Sequence, residues 1–210
     1  MKIAVVQLNS KLDYRYNLDC INDFLVEAKH QRAEAAFLPE CFYSMSDGIN
    51  PTPHLVSDGN DHENSIIKLA TSNQINLLGG SVAYRQKNKI YNRAYNILKD
   101  GRLLSSYDKM NLFACDLYEG GKKVKEVRES LIYAKGTSLN VIDYKNLKIG
   151  NTICFDIRFP HLFHGLMREN VDIITVPSAF TKKTGEMHWH ILNRARAIET
   201  QSFIISAAQV

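Results

Sequence analysis

The chain has 210 residues, 45% of them hydrophobic, with 26 Lys and Arg against 22 Asp and Glu for a formal net charge of +4. That length supports a substantial core, and the modest, dispersed charge excludes the basic stripe of a nucleic-acid-binding surface. No apolar run reaches the ~20 residues of a membrane span, and MKIAVVQLNS turns polar too soon for a signal peptide. The four cysteines, Cys20, Cys41, Cys115 and Cys154, form no CxxC pair, which speaks against a metal site. Without an export signal they are expected as free thiols in a cytoplasmic setting.

In chain order, IAVVQL reads as a buried strand, and residues 14–31 set Leu18, Ile21, Leu25 and Ala28 on one helical face. Cys20 falls within that helix as a packing residue. AAFLPE is a second short strand ending at Pro39, and residues 41–60 are rich in Ser, Asp, Asn, Gly and Pro, the composition of a long loop. Long loops inside compact domains are often functional; Cys41, at the start of this one, has Glu40 as a neighbour that suggests a place near a pocket, with packing the favoured reading. A helix is predicted near residues 62–73, then a strand LLGGSVAY. YNRAYNILKD and RLLSSYD form a hairpin about Asp100-Gly101. Residues 109–138 read as irregular, with GGKKVKEVRES a solvated loop. SLNVIDY and LKIGNTI form another hairpin about Asn146. Pro160 opens a helix with Leu162, Phe163, Leu166 and Met167 at helical spacing. DIITVPS is a strand, residues 186–200 a helix, and FIISAAQV a last strand. Hairpins mixed with strand-helix-strand units predict mixed sheets covered by helices, within a single domain over residues 1–210.

The residue that raises a chemical question is Cys154, set between the strand LKIGNTI and an abrupt polar turn. A cysteine nucleophile needs a thiolate, a proton acceptor and donors for the oxyanion. At a helix start Cys154 would feel the positive end of the dipole, and the Phe155 N–H would lie near the sulfur, as in a nucleophile elbow. His161 and His164 lie too far into the helix to serve as the base. Glu40 and Lys109 stand at strand ends, at a sheet rim where sites in α/β folds assemble. The carboxylate there could take a thiol proton, and the ammonium could hold an oxyanion. Asp156 and Arg158 are expected to brace the elbow by ion pairing or backbone contacts. His188 and His190, two apart, share no helix face for a metal. Arg194 and Arg196 are assigned to structure or a subunit contact.

FLPE, YDKMNLF and ICFDIRFP, in that order, resemble the three signature segments of the nitrilase superfamily of carbon–nitrogen hydrolases. The resemblance runs from IAVVQLNS to RARAIETQSFIISAAQ. It implies an α-β-β-α sandwich and a triad of Glu40, Lys109 and Cys154 that cleaves amides through a cysteine acyl-enzyme, with no metal or cofactor. It implies a second glutamate, Glu129 in VRES or Glu119 in YEGG, with Glu129 favoured. Substrate contacts are implied at Ser178, Ala179 and Phe180, and Arg158 or Lys182 could hold a substrate carboxylate. The segment VPSAFTKKTGEMHWHILNRARAIETQ resembles the branch of deaminated glutathione amidases, close to the omega-amidases. The expected activity is thus hydrolysis of the terminal amide of a small carboxylate-bearing substrate by a cytoplasmic homodimer, with the elbow helix and final helix at the subunit contact. An N-carbamoyl amide or nitrile substrate is an enzymatic alternative. The family also carries strands beyond AAQV that this chain lacks, so a truncated, inactive remnant or binding protein is the alternative of another class.

Overall fold

The computed structural model describes the backbone of all 210 residues and every side chain except those of Leu117, Tyr118, Glu119, Val124 and Lys125. Two sheets face each other, each covered outside by helices. In the first sheet β1 (Ile3–Val5), β2 (Ala35–Phe37) and β3 (Asn76–Leu78) run parallel. β5 (Lys89–Ile97) then pairs antiparallel with β3, with β4 (Ser81–Gln86) and with β6 (Leu103–Asp108). The second sheet has the order β12-β11-β10-β9, with β9 (Val141–Tyr144) antiparallel to β10 (Leu147–Asn151). β11 (Ile173–Thr175) and β12 (Phe203–Ile205) continue it in parallel.

The period-two alternation of the strands sorts their side chains into layers. Ala35, Phe37 and Leu78 point inward to meet Ile142, Ile149, Ile173 and Ile205 of the opposite sheet. Ala36, Leu38 and Leu77 point outward against α1 (Tyr14–His30) and α2 (Asp61–Asn73), which bury Ile21, Leu25, Ile66 and Leu69 there. On the far side Ile174 and Val176 pack against α3 (Pro160–Arg168) through Leu162, Phe163 and Leu166. α4 (Lys182–Thr200) lies alongside and adds Leu192. The result is the α-β-β-α sandwich.

Each helix start has a local cause. Asp13 accepts from the Arg15 N–H at α1, Asn60 from the Glu63 N–H at α2, and Thr181 from the Thr184 N–H at α4. Pro160 opens α3, where its missing N–H and fixed φ do no harm. The Thr181 cap starts α4 four residues before the expected residue 186.

Two expectations need correction. LLGGSVAY is two strands, because Gly79 adopts φ 75° and Gly80 passes too close to its neighbours for any side chain. Residues 109–138 are not irregular. They contain a two-stranded sheet, β7 (Ala114–Glu119) with β8 (Lys122–Arg128), followed by a short 3-10 turn at Glu129–Leu131. Gly120 and Gly121, both with positive φ, make its two-residue turn. Asp116 pairs with Lys123 and Arg128, and Glu126 with the same two cations, so the dense charge is neutralised across the ladder.

A Cβ on Gly80 would stand 2.5 Å from Leu38 Cβ and 2.7 Å from Phe42 Cδ1. Gly80→Ala is therefore expected to lower stability by about 1–3 kcal/mol, read as a lower urea midpoint at unchanged slope.

Candidate active site

Glu40 follows β2, Lys109 follows β6 and Cys154 follows β10, so three strand ends bring them to one rim of the sandwich. All three are buried, Lys109 at 1% exposure, and all line one cavity of about 400 Å³. Lys109 Nζ donates to Glu40 Oε1 at 2.9 Å and lies 2.9 Å from Glu129 Oε2. Glu129 Oε2 also accepts the Phe113 N–H at 2.6 Å. The Lys109 backbone is fixed on both sides: its N–H donates to Asn92 O, and its carbonyl accepts from the Gly136 N–H, each at 2.9 Å. A Cβ on Gly136 would fall 2.0 Å from Asp108 O, so only glycine allows that approach.

Cys154 adopts φ 47°, in the left-handed region, and its N–H donates to Pro177 O at 2.8 Å. It opens a single 3-10 turn, Cys154–Arg158, and the α-helix starts only at Pro160. The expectation that a helix dipole favours the thiolate is thus overturned. Burial, and then the Glu40 charge, push the Cys154 thiol well above its ordinary range. Lys109 and the Ala179 N–H offset only part of that. Burial pulls Lys109 the other way, but Glu40 and Glu129 more than compensate and hold it well above its ordinary value. Burial raises the Glu129 carboxyl.

Asp156 braces the turn as expected, through hydrogen bonds. It accepts from the Ile153 N–H, the Asn111 N–H and the Tyr107 hydroxyl at 2.8–2.9 Å. Arg158 does something different. It forms no ion pair with Asp156. Its guanidinium lies 5.7 Å from the Phe155 ring centroid and 5.5 Å from that of Phe180, and contacts His188 Nδ1 at 3.1 Å. It has no carboxylate partner among the described residues and lines the cavity.

Phe155, Ala179 and Phe180 also line the cavity, whereas Ser178 does not. Ser178 is fully buried, with its N–H on Ala207 O and its hydroxyl on Val176 O, and Lys182 is exposed outside the cavity. Glu129 contacts Lys109; the side chain of Glu119 lies outside the described residues. Cys41 lines the cavity, the place its neighbour Glu40 suggests rather than the packing role favoured for it. Sequence reasoning also missed the loop residues Met45, Ser46, Asp47 and Gly48, which form part of the wall, and Tyr133. Only the length and turn-rich composition of residues 41–60 pointed to the four loop residues, and nothing in the sequence pointed to Tyr133. Among the described residues no cluster of three metal-ligating side chains occurs.

An α-β-β-α sandwich with a buried Glu, Lys and Cys gathered at its strand ends is the architecture of a nitrilase-like hydrolase. The sequence pattern of the family described as carbon-nitrogen hydrolase matches residues 2–210. The chain is 36% identical to the deaminated glutathione amidase of Dictyostelium discoideum, over 99% of this chain and 74% of that one. It is 36% identical to the nitrilase and fragile histidine triad fusion protein of Drosophila melanogaster, covering 99% of this chain and 45% of the fusion. In three dimensions it is similar to Saccharomyces cerevisiae Nit3, a member of branch 10 of the nitrilase superfamily. The TM-score is 0.84 at 29% identity, over 100% of this chain and 76% of that one. The chain belongs to the carbon-nitrogen hydrolase family.

A thiol raised by burial holds its proton at neutral pH. The ultraviolet thiolate absorbance that is present in wild type and lost in Cys154→Ala is expected to show no step at or below pH 9.0, the ordinary thiol value. A Cys154-dependent step near neutrality would contradict the stated electrostatics.

Proposed function

We propose that the chain is an amidase that hydrolyses the terminal amide of a small carboxylate-bearing substrate and releases ammonia. Deaminated glutathione and the omega-amides of short acids are the substrates that the names of its relatives suggest. The observation that carries this reading is the convergence of Glu40, Lys109 and Cys154 on one cavity that also presents Arg158, a cation with no carboxylate partner among the described residues.

Cys154 Sγ attacks the amide carbon while its proton passes to the Glu40 carboxylate. The carbonyl electron pair moves to oxygen, and the tetrahedral oxyanion is held by Lys109 Nζ and the Phe155 N–H. An ammonium has three donors; Glu40 and Glu129 engage two, which leaves one for the oxyanion. The N–H of a residue in the first turn of a helical segment has no partner within it, so the Phe155 N–H suits the same task. The carbon–nitrogen bond then breaks, and the leaving nitrogen takes the proton from Glu40 and departs as ammonia. A thioester on Cys154 remains. Glu40 next removes a proton from water, whose oxygen attacks the thioester. Collapse of the second tetrahedral intermediate breaks the carbon–sulfur bond, frees the acid and restores the thiol. Glu129 keeps Lys109 charged and oriented.

Ammonia release from a panel of short omega-amides and deaminated glutathione tests this reading. Wild type is expected to turn over and Cys154→Ala to be inactive; a folded but inactive wild type would sink it. Arg158→Ala is expected to raise KM for carboxylate-bearing amides about 10- to 100-fold, the weight of one charge-assisted hydrogen bond. Neutral amides should change within a few-fold.

We further propose that the chain forms a homodimer in the cytoplasm. Met187, Ile191 and Ile198 of α4 and Phe203 of β12 are 56–79% exposed on adjoining elements, an apolar surface suited to a second copy. The four unpaired thiols fit a reducing compartment. Sedimentation is expected to give a dimer for wild type and a monomer for an Ile191→Glu/Ile198→Glu variant; a monomeric wild type would refute the assignment.

A further inference from the structure

Asn92 lies within β5, at 1% exposure, on the strand that also fixes the Lys109 backbone. Its side-chain Nδ2 donates to Glu40 Oε1 at 2.9 Å. Lys109 Nζ donates to that same oxygen at 2.9 Å. A carboxylate oxygen offers about two lone-pair positions. Oε1 is therefore filled, and Oε2 is the oxygen left with open acceptor positions. The other end of the amide is equally informative. Among the described residues, Asn92 Oδ1 is the only buried side-chain nitrogen or oxygen without a hydrogen-bond partner. Such orphans are rare because each forfeits its hydration. An amide kept only to tie strands together would use both ends. This one uses a single end, and that end is on Glu40. Turning the amide over would set Oδ1 against the carboxylate, so the Glu40 charge fixes its orientation.

We propose that Asn92 is a positioning residue for Glu40. With Lys109 it pins Oε1, so that Oε2 is the atom that faces Cys154 and exchanges its proton. This rests on the reading of Glu40 as the base. As the sulfur lone pair forms the bond to the amide carbon, the proton moves from Sγ to Oε2 and the carbonyl π pair moves to oxygen. Lys109 alone, one contact at the end of a four-carbon stem, leaves the carboxylate free to rotate about its terminal bond. A second donor from a rigid strand removes that freedom.

A double-mutant cycle tests this. Asn92→Ala and the isosteric Asn92→Asp are compared with wild type, Glu40→Gln and the doubles. Two readouts are amide hydrolysis and alkylation of Cys154 by iodoacetamide, followed by mass spectrometry. The expected result is a fall in kcat of about 10- to 100-fold with KM within about threefold, since a positioned charge-assisted bond has that weight. Cys154 alkylation should slow by a similar factor. In the Glu40→Gln background the Asn92 substitution should have no further effect on alkylation. Independent, additive losses in both backgrounds, or an unchanged kcat, would overturn the proposal. The Asn92 side-chain amide protons in a nitrogen-15 NMR spectrum give a readout that leaves Asn92 intact. They should move upfield in Glu40→Gln as the carboxylate acceptor is lost, and no movement would also overturn it. The two failures are distinguishable. If no amide is hydrolysed by wild type, the amidase reading fails, while alkylation and NMR still report on the Asn92–Glu40 coupling. If amides are hydrolysed and the cycle is additive, only the role of Asn92 falls.

Discussion

The ammonium of Lys109, buried between the carboxylates of Glu40 and Glu129, is the constraint on which the rest of the structure depends. Removing an ion from water has an effective penalty of several kcal/mol even after relaxation. The penalty is tolerable only where opposite charges sit at hydrogen-bond distance, as both carboxylates do here. That demand explains details which have no reason on packing grounds alone. Gly136 is a glycine so that its N–H can reach the Lys109 carbonyl past Asp108. Phe113 gives its N–H to Glu129. Gln209, at the end of the described fold, donates from Nε2 to the Glu40 carbonyl and to Ser10, so the second sheet grips the segment that carries Glu40.

The cluster requires two sheets held at a fixed separation, and an apolar interface alone does not fix their relative position to a fraction of an ångström. A buried polar chain adds direction. Asn96 of β5 donates to Asn151 Oδ1 of β10, Thr175 of β11 donates to the same oxygen, and Asn151 donates to Asn140. Asn96 Oδ1 in turn accepts the Gly79 N–H at the break between β3 and β4. Each partner is satisfied, the condition under which buried polar networks specify one arrangement rather than weaken it. Asn151 ends the strand that leads to Cys154, so the network that registers the sheets also places the sulfur.

Much of this was legible in the sequence, for physical reasons. α1 and α2 appear because amphipathic spacing is long and capped; β1, β2 and β11 appear as short β-branched or apolar runs bounded by breakers. The β7–β8 hairpin was hidden because its ladder is held by ion pairs across the strands, and charged alternation looks like a solvated loop. The break at Gly79-Gly80 follows from close approach to Leu38 and Phe42, a tertiary fact absent from local pattern. Glu40, Lys109 and Cys154 stood out because polar residues at strand ends are conspicuous. Ser178, implied as a substrate contact by the family resemblance, instead turns its hydroxyl to Val176 O and does not line the cavity. Asn92 was invisible, since a polar residue inside a strand reads as solvent-facing until the opposite sheet is in place.

The state of the thiol is what joins the electrostatics to the chemistry. With both carboxylates ionised, the Glu40, Lys109 and Glu129 cluster carries a net negative charge, and a thiolate beside it would add a second. Burial and Glu40 therefore keep Cys154 protonated at rest. A site that stored a free thiolate would instead surround the sulfur with cations, as low-pKa cysteines require. In the proposed mechanism the carboxylate that disfavours the thiolate is also the group that receives its proton. Negative charge would then leave Glu40 as it develops on the substrate oxygen, where Lys109 and the Phe155 N–H would meet it. The net charge of the buried cluster stays constant through that transfer. Among buried groups, moving charge between fixed partners is far less costly than creating it. The same arrangement that keeps the resting thiol protonated would, in that mechanism, make its reaction depend on a group able to accept the charge.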